Sequence, residues 1–245
     1  MKTILIGYGE IGKGVRGFYE RFHDIDVIDL DYEEVAHSEY DIMLVAIPYS
    51  AGFVGIIKEY QKRFKPKGTI IFSTVAIGTT SQIKGAVHAP IEGKHPHLED
   101  SISLWKPMIG GYNKEVEKWF NVIDKPRTYV DNPEITEAMK MLSTSYYGVM
   151  LEYFRYANGV LEQLGGNKDH FNEYTKNYNN LYQEMDMANF TRPIFEKVPS
   201  GRLGGHCVTP NAKILDQQFP SLFLKQIYEG VLPSLKLEAR EDGDI

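Results

Sequence analysis

Thr3-Ile4-Leu5-Ile6-Gly7-Tyr8-Gly9-Glu10-Ile11-Gly12 stands almost at the start of the chain, and its context decides how everything after it is read. Thr3 to Ile6 is a short apolar run that predicts a strand. From Val15 to Phe22 apolar residues recur at helical spacing, and Asp26-Val27-Ile28-Asp29-Leu30-Asp31 predicts a second strand. A Gly-x-Gly-x-x-Gly turn between a strand and a helix is a phosphate-binding signal that the bare motif is not. Gly7 permits the tight turn, Gly9 lets backbone approach a pyrophosphate, and Gly12 lets the helix lie close to the strand. Tyr8, Glu10 and Ile11 complete the loop, and the helix N-terminus supplies amides to the phosphates.

An acidic residue about 20 positions on, at the end of the second strand, is suited to a ribose diol. Asp29 stands there, followed by Leu30, with Asp31 as the second candidate. A carboxylate at that point repels a 2′-phosphate, so NAD is expected over NADP. Two alternatives remain for the same features: a Rossmann domain that has lost its nucleotide, and one that holds S-adenosylmethionine, whose ribose also suits an acidic strand end.

The strand–helix alternation continues. Asp41–Ile47 reads as a buried strand closed by Pro48, with Ile47 and Pro48 at the cofactor side, and 52–64 reads as a helix stopped by Pro66-Lys67-Gly68. Strands follow at 69–75, 85–89, 107–110 and 127–130, with a short helix opening at Gly78-Thr79-Thr80 and another over 114–123. Alternation of this kind implies an α/β fold, a doubly wound and mostly parallel sheet. From Pro133 the pattern turns helical: 134–164, then 169–188 and 219–231. The expected organisation is a Rossmann-type NAD domain over 1–130 and a smaller, all-helical substrate and dimerisation domain over 131–245. A helix of about 30 residues exceeds the usual globular length, and pairing with its own copy in a homodimer is the expected use.

Net charge of −6 and a pI near 5.7 argue against nucleic acid or an anionic membrane as partner. No apolar stretch approaches the ~20 residues of a membrane span. The N-terminus enters a strand directly, so no leader is expected, and a single cysteine fits an expected reducing cytoplasm.

That one cysteine, Cys207, follows Gly204-Gly205-His206 and precedes Val208-Thr209-Pro210-Asn211, whose proline is placed to open a helix. A thiol at a helix N-terminus tends toward the thiolate, which attacks carbonyl carbons. A small buried hydrophobe in a turn is the other reading. On the long helix Lys140 and Thr144 share a face, with Tyr147 about a turn further on. That face offers an amine and hydroxyls, or else a solvated lysine beside a threonine.

Taken in order, these pieces resemble the UDP-glucose/GDP-mannose dehydrogenase family, within the wider group of 6-phosphogluconate dehydrogenase-like enzymes. The glycine turn with Asp29 looks like its NAD site. Ser73-Thr74-Val75-Ala76-Ile77-Gly78-Thr79 is similar to its Ser-Thr-Val-Pro-x-Gly-Thr loop, which implies cofactor contacts at Thr74 and Val75. His88-Ala89-Pro90-Ile91-Glu92-Gly93 is similar to the substrate loop of the wider group. Glu137-Ala138-Met139-Lys140 looks like the start of the central helix with its catalytic lysine, and Gly201-Arg202-Leu203-Gly204-Gly205-His206-Cys207 like the nucleophile loop. The resemblance implies two hydride transfers to NAD, with the intermediate aldehyde held by Cys207 as a thiohemiacetal. Lys140 then serves as charge partner of the oxyanion or as proton carrier.

Three departures qualify it. Thr144 stands where the family has asparagine, and Asn211 where it has aspartate. Asn211 cannot take a proton, which leaves one oxidation or two open. The family's further C-terminal domain that grips UDP is not seen in this chain, which argues against a nucleotide sugar. Glu92, Lys94, His95, His97, Arg202, His206 and Tyr147 instead suggest a smaller anionic substrate, a polar or phosphorylated sugar or acid. No metal is expected, since the spacing of His88, His95 and His97 fits no metal pattern. Two other functions use the same features: an S-adenosylmethionine-dependent transferase, and a non-catalytic nucleotide-binding protein. The changes at Thr144 and Asn211 fit the second, and the presence of Lys140 and Cys207 argues against it.

Overall fold

The computed structural model describes residues 1–93, 96–199, 203 and 207–229. Strand β1 (Lys2–Ile6), helix α1 (Glu10–Tyr19) and β2 (Asp24–Asp29) form the expected opening unit, and β3 (Tyr32–Glu34) turns back beside β2. There follow β4 (Ile42–Val45), α2 (Phe53–Phe64), β5 (Gly68–Ile71), a 3-10 turn at Thr80–Gln82, β6 (Ala86–His88), α3 (Leu98–Leu104), β7 (Met108–Gly110), α4 (Lys114–Asn121) and β8 (Thr128–Val130).

The strands form one sheet in the order β3-β2-β1-β4-β5-β6-β7-β8. Neighbours run parallel except at β2/β3 and β6/β7. Consecutive side chains of a strand face opposite sides, and here both sides are apolar. Leu5, Val27, Leu44 and Ile70 point to one face, where Val15, Phe18, Trp119 and Phe120 of α1 and α4 meet them. Ile4, Ile6, Met43, Val45 and Ile71 point to the other, against Phe53, Ile57 and Phe64 of α2. A sheet covered on both faces explains why its inner strands read as unbroken apolar runs.

Two elements lie outside the sequence expectation. All three residues of β3 are exposed, so it has no apolar pattern to betray it. Helix α3 has only Leu98 and Ile102 buried, too short a stripe to stand out. The remaining elements begin and end within a few residues of where periodicity put them.

The chain divides into compact units at Met1–Met141 and Leu142–Ile245, the division falling inside α5 (Pro133–Gln163). The first turns of α5 bury Thr136, Glu137 and Met141 in the first unit. In the second, Phe154 of α5 meets Phe171 of α6 (Lys168–Glu184) and Phe195 at ring separations of 5.7 and 5.1 Å. Helices α7 (Val208–Gln218) and α8 (Leu222–Glu229) pack together, with Asp216 accepting from Ser221 N–H and Tyr228 O–H, each at 2.7 Å. A Cβ on Gly148 would come within 2.8 Å of Val208 and 3.0 Å of Ile227, so α7 and α8 lie against α5 only because this residue has no side chain.

Candidate functional site

The strand order reverses at β1, whose neighbours β2 and β4 lead away in opposite directions, and such a switch point opens a crevice at the C-terminal strand ends. Gly7 holds the turn there at φ +96°, a conformation that glycine adopts without strain. A Cβ on Gly12 would stand 2.1 Å from the Gly7 carbonyl oxygen, so α1 enters in contact with the strand end. Around Gly9 the opposite holds: nothing lies within 4 Å of where a Cβ would be. The first helical bond of α1 runs from Lys13 N–H to Gly9 O at 2.9 Å, and the amides of the first turn have no intrahelical acceptor. Open space under a set of amides is what a pyrophosphate needs.

Asp29 closes the other side. Its carboxylate accepts from the Tyr8 amide and, at 2.7 Å, from Leu30 N–H, tying the end of β2 to the glycine turn. Carboxylate oxygens have capacity left for a diol. Leu30 is 96% exposed at the turn into β3, where a purine would rest against it. The guanidinium that could meet a 2′-phosphate, Arg16, is engaged by Glu34 at 3.0 Å and Glu20 at 3.3 Å, and lies 5.6 Å from the Tyr8 ring. The residues present thus fit NAD, and Glu34 adds to the negative charge facing any extra phosphate.

At the ends of β4 and β5, Ser73 Oγ donates to Ile47 O at 2.6 Å, while Pro48 is exposed. Thr74 is half-buried, whereas the Val75 side chain is wholly buried in the core beneath the loop. His88 is also fully buried. Its Nε2 lies 3.2 Å from the Ser73 carbonyl, which can only accept, so the neutral ring carries its proton on Nε2. In that tautomer Nδ1 is the acceptor facing the Thr136 hydroxyl at 2.9 Å, and the same hydroxyl lies 2.9 Å from the Pro133 carbonyl. Burial pushes the imidazole down to about 4, opposed by the Ser73 bond and assisted by the nearby Lys140 charge.

Lys140 lies near the start of α5. Its Nζ donates to Ile91 O at 2.7 Å and pairs with Glu92 at 3.1 Å, which brings two segments chosen from the sequence together. Sequence reasoning passed over Glu137, which has no exposed surface. Its two oxygens accept from Gly78 N–H at 2.6 Å and Thr80 N–H at 2.8 Å. Burial raises its carboxyl above the usual range, and the bonds from Thr80 and Gly78 oppose the rise. The signal was present in Glu137-Ala138-Met139-Lys140, three apart on one helix, but the acid's partner could not be read from it.

In the second unit, Cys207 is the exposed N-terminal cap residue of α7, and its carbonyl accepts the helix's first bond from Asn211 N–H at 3.1 Å. The helix begins at Val208, before Pro210 and not at it. Thr209 Oγ1 donates to Leu203 O at 2.6 Å, anchoring this end. Asn211 is buried, and its amide donates to Thr144 Oγ1 at 3.4 Å, so the two residues that depart from the resembled family touch each other. Tyr147 is half-exposed and stands 6.2 Å from the Phe195 ring. Lys94, His95, Arg202 and His206 lie outside the described residues. Among the described residues no helix is long and apolar enough to cross a membrane, and no group of three metal-ligating side chains is found.

No protein-family model matches the chain, and no curated protein matches it in sequence. Solved structures do match. A UDP-D-ManNAc dehydrogenase from Pyrococcus horikoshii is similar over 94% of this chain and 68% of its own, with TM-score 0.67 at 16% identity. A 3-hydroxyisobutyrate dehydrogenase from Mycobacterium tuberculosis, solved with L-serine, covers 94% and 92%, with TM-score 0.65 at 14% identity. A UDP-glucose dehydrogenase from Pyrobaculum islandicum covers 93% and 67%, with TM-score 0.65 at 13% identity. At such identities the likeness shows the fold: an α/β sheet domain followed by helices.

Proposed function

We propose that the protein is an NAD-dependent oxidoreductase that oxidises a hydroxyl of a small polar or phosphorylated sugar or acid. The observation that carries it is the cleft at the strand switch point, where Asp29 binds the Tyr8 amide beside an open Gly9. The bound cofactor supplies the hydride acceptor. Of the chain's own groups, Gly7, Tyr8, Gly9, Glu10, Ile11 and Gly12 receive the pyrophosphate, and Asp29 with Leu30 the adenosine. Ile47, Pro48, Thr74 and Val75 border the nicotinamide half, Val75 through its backbone.

Lys140 supplies a cation to the oxygen that becomes negative as hydride departs, and Glu92 sets its direction. Cys207 is assigned the nucleophile: its thiolate adds to the carbonyl carbon of the aldehyde, and the carbonyl oxygen takes up a proton to give the thiohemiacetal. Thr144, Asn211 and His206 are assigned to that step, and Glu92, Lys94, His95, Tyr147 and Arg202 to the anionic substrate. The dehydrogenases with this fold are named for hydroxy acids and for nucleotide sugars, and the histidines and arginine of the substrate loops favour the smaller anions.

The test is a titration with NADH, read as energy transfer from tryptophan, with S-adenosylmethionine as competitor. Saturable NADH binding that S-adenosylmethionine does not displace supports the oxidoreductase. Binding of S-adenosylmethionine alone replaces it with the transferase, and binding of NADH without any turnover across hydroxy acids and sugar phosphates replaces it with a nucleotide-binding protein.

We further propose a homodimer through α5. Leu142, Tyr146, Tyr153 and Tyr156 are exposed, with Val149 between them, spaced four and three residues apart as in a two-helix seam. Sedimentation is expected at twice 28.0 kDa, and Tyr153→Glu is expected to halve it.

A further inference from the structure

We propose that Glu137 is the positioning residue that holds loop 73–80 in the shape that receives the nicotinamide half of the cofactor, an inference that rests on the NAD reading above. The topology places that loop. A bound pyrophosphate would be met by the N-terminus of α1, which follows β1, and the adenosine by Asp29 at the end of β2. In the order β2-β1-β4-β5 the remaining half of a dinucleotide must extend the other way, across the ends of β4 and β5. The segment leaving β5 is loop 73–80.

This loop is pinned at both ends. At its start Ser73 is held by Ile47 O and by His88 Nε2. At its far end Gly78 and Thr80 each point an amide at one carboxylate of Glu137, with Gly78 at φ +88° turning the chain so that both amides face the same way. Ser81 adds a hydroxyl bond to Glu134, one turn earlier on α5, at 2.5 Å. Between the pins Thr74, Ala76 and Ile77 remain half-exposed at the cleft.

A buried carboxylate is costly unless its charge is met by hydrogen bonds, and an apolar side chain would fill the same space at no such cost. What the carboxylate adds is a pair of strong acceptors of fixed spacing. A backbone loop set in advance loses less entropy when the ligand arrives. Lys140 lies three residues, about one turn, beyond Glu137 and reaches Ile91 O and Glu92. The same stretch of α5 therefore sets both the loop beside the cofactor and the amine offered to the substrate.

ADP-ribose, which shares the adenosine and pyrophosphate of NADH and lacks the nicotinamide, separates the roles. Glu137→Gln keeps one acceptor and turns an amide donor toward the other N–H. It is expected to weaken NADH about tenfold, while ADP-ribose changes by less than about twofold. Glu137→Asp, a methylene too short to reach both amides, is expected between wild type and Glu137→Gln. Equal loss of both ligands in variants that unfold like wild type, or no loss of either, would overturn the role of Glu137. A wild-type protein that binds neither ligand removes the cofactor reading itself, and this inference with it. Should the variants fail to fold, hydrogen exchange of the ligand-free wild type decides: Gly78 and Thr80 amides are expected to exchange at least about 100-fold slower than unprotected ones, and free exchange refutes a pre-set loop.

Discussion

Acidification to pH 5 is expected to destabilise the sheet unit through His88. The ring is buried, neutral and bonded on both nitrogens, with its titration pushed from 6.5 down to about 4. An unfolded chain takes up the proton near 6.5, whereas the folded one resists to about 4. Stability is therefore full above 6.5 and falls as pH drops from there toward 4. The gap of about 2.5 pH units is worth about 3 kcal/mol in full, of which about 2 kcal/mol is lost by pH 5. His23 acts in the same direction. Burial first, then the positive N-terminus, push it down to about 4, against its bond to Trp119 O at 3.1 Å. Glu137 and Glu152 oppose the trend, since burial raises both carboxyls and protonation then favours the fold. Urea unfolding at pH 7.5, 6.0 and 5.0, followed by the emission of buried Trp119, measures the slope. His88→Gln keeps a donor toward Ser73 and cannot titrate. It is expected to cost about 1–3 kcal/mol at pH 7.5 and to remove about half of the acid loss. An unchanged slope in this variant, or a flat wild-type profile, refutes the reasoning.

Other expectations follow from the cleft. Gly9→Ala places a methyl in open space, so it should leave Tm within about 1 °C yet weaken NADH by tenfold or more; Gly12→Ala meets the Gly7 carbonyl and should unfold earlier in urea. Asp29→Ala should weaken NADH and narrow its preference over NADPH, and an unchanged ratio of the two affinities would count against the ribose assignment. Cys207→Ser should abolish turnover with NADH affinity within about twofold of wild type, because Cys207 stands at the N-terminus of α7, where its side chain makes no capping bond, and takes no part in the glycine turn. Equal loss of affinity would mark the cysteine as structural.

The sheet was legible because its causes are local. Ile4 to Ile6, Val27 to Ile28 and Met43 to Val45 are apolar on both faces, and the three glycines fall at a spacing that joins such a strand to a close helix. β3 and α3 were not legible: one is an exposed edge paired to β2 through backbone alone, and the other rests on two side chains. Helix α7 opens before Pro210 because a proline within a first turn gives up an amide that has no helical partner anyway.

For the site, the sequence by itself determined the groups and their order: a glycine turn, an acid at a strand end, Glu137 three before Lys140, and a lone thiol beside two glycines. Periodicity and motif spacing carry that much, because they depend on residues close along the chain. What only the tertiary structure decided is which groups meet: Asp29 with the Tyr8 amide, Glu137 with Gly78 and Thr80, Lys140 with Glu92, Asn211 with Thr144. These partners lie from 21 to 67 residues apart in sequence. No local rule pairs them, since each contact exists only after strand order and helix packing have brought distant groups within reach of a hydrogen bond.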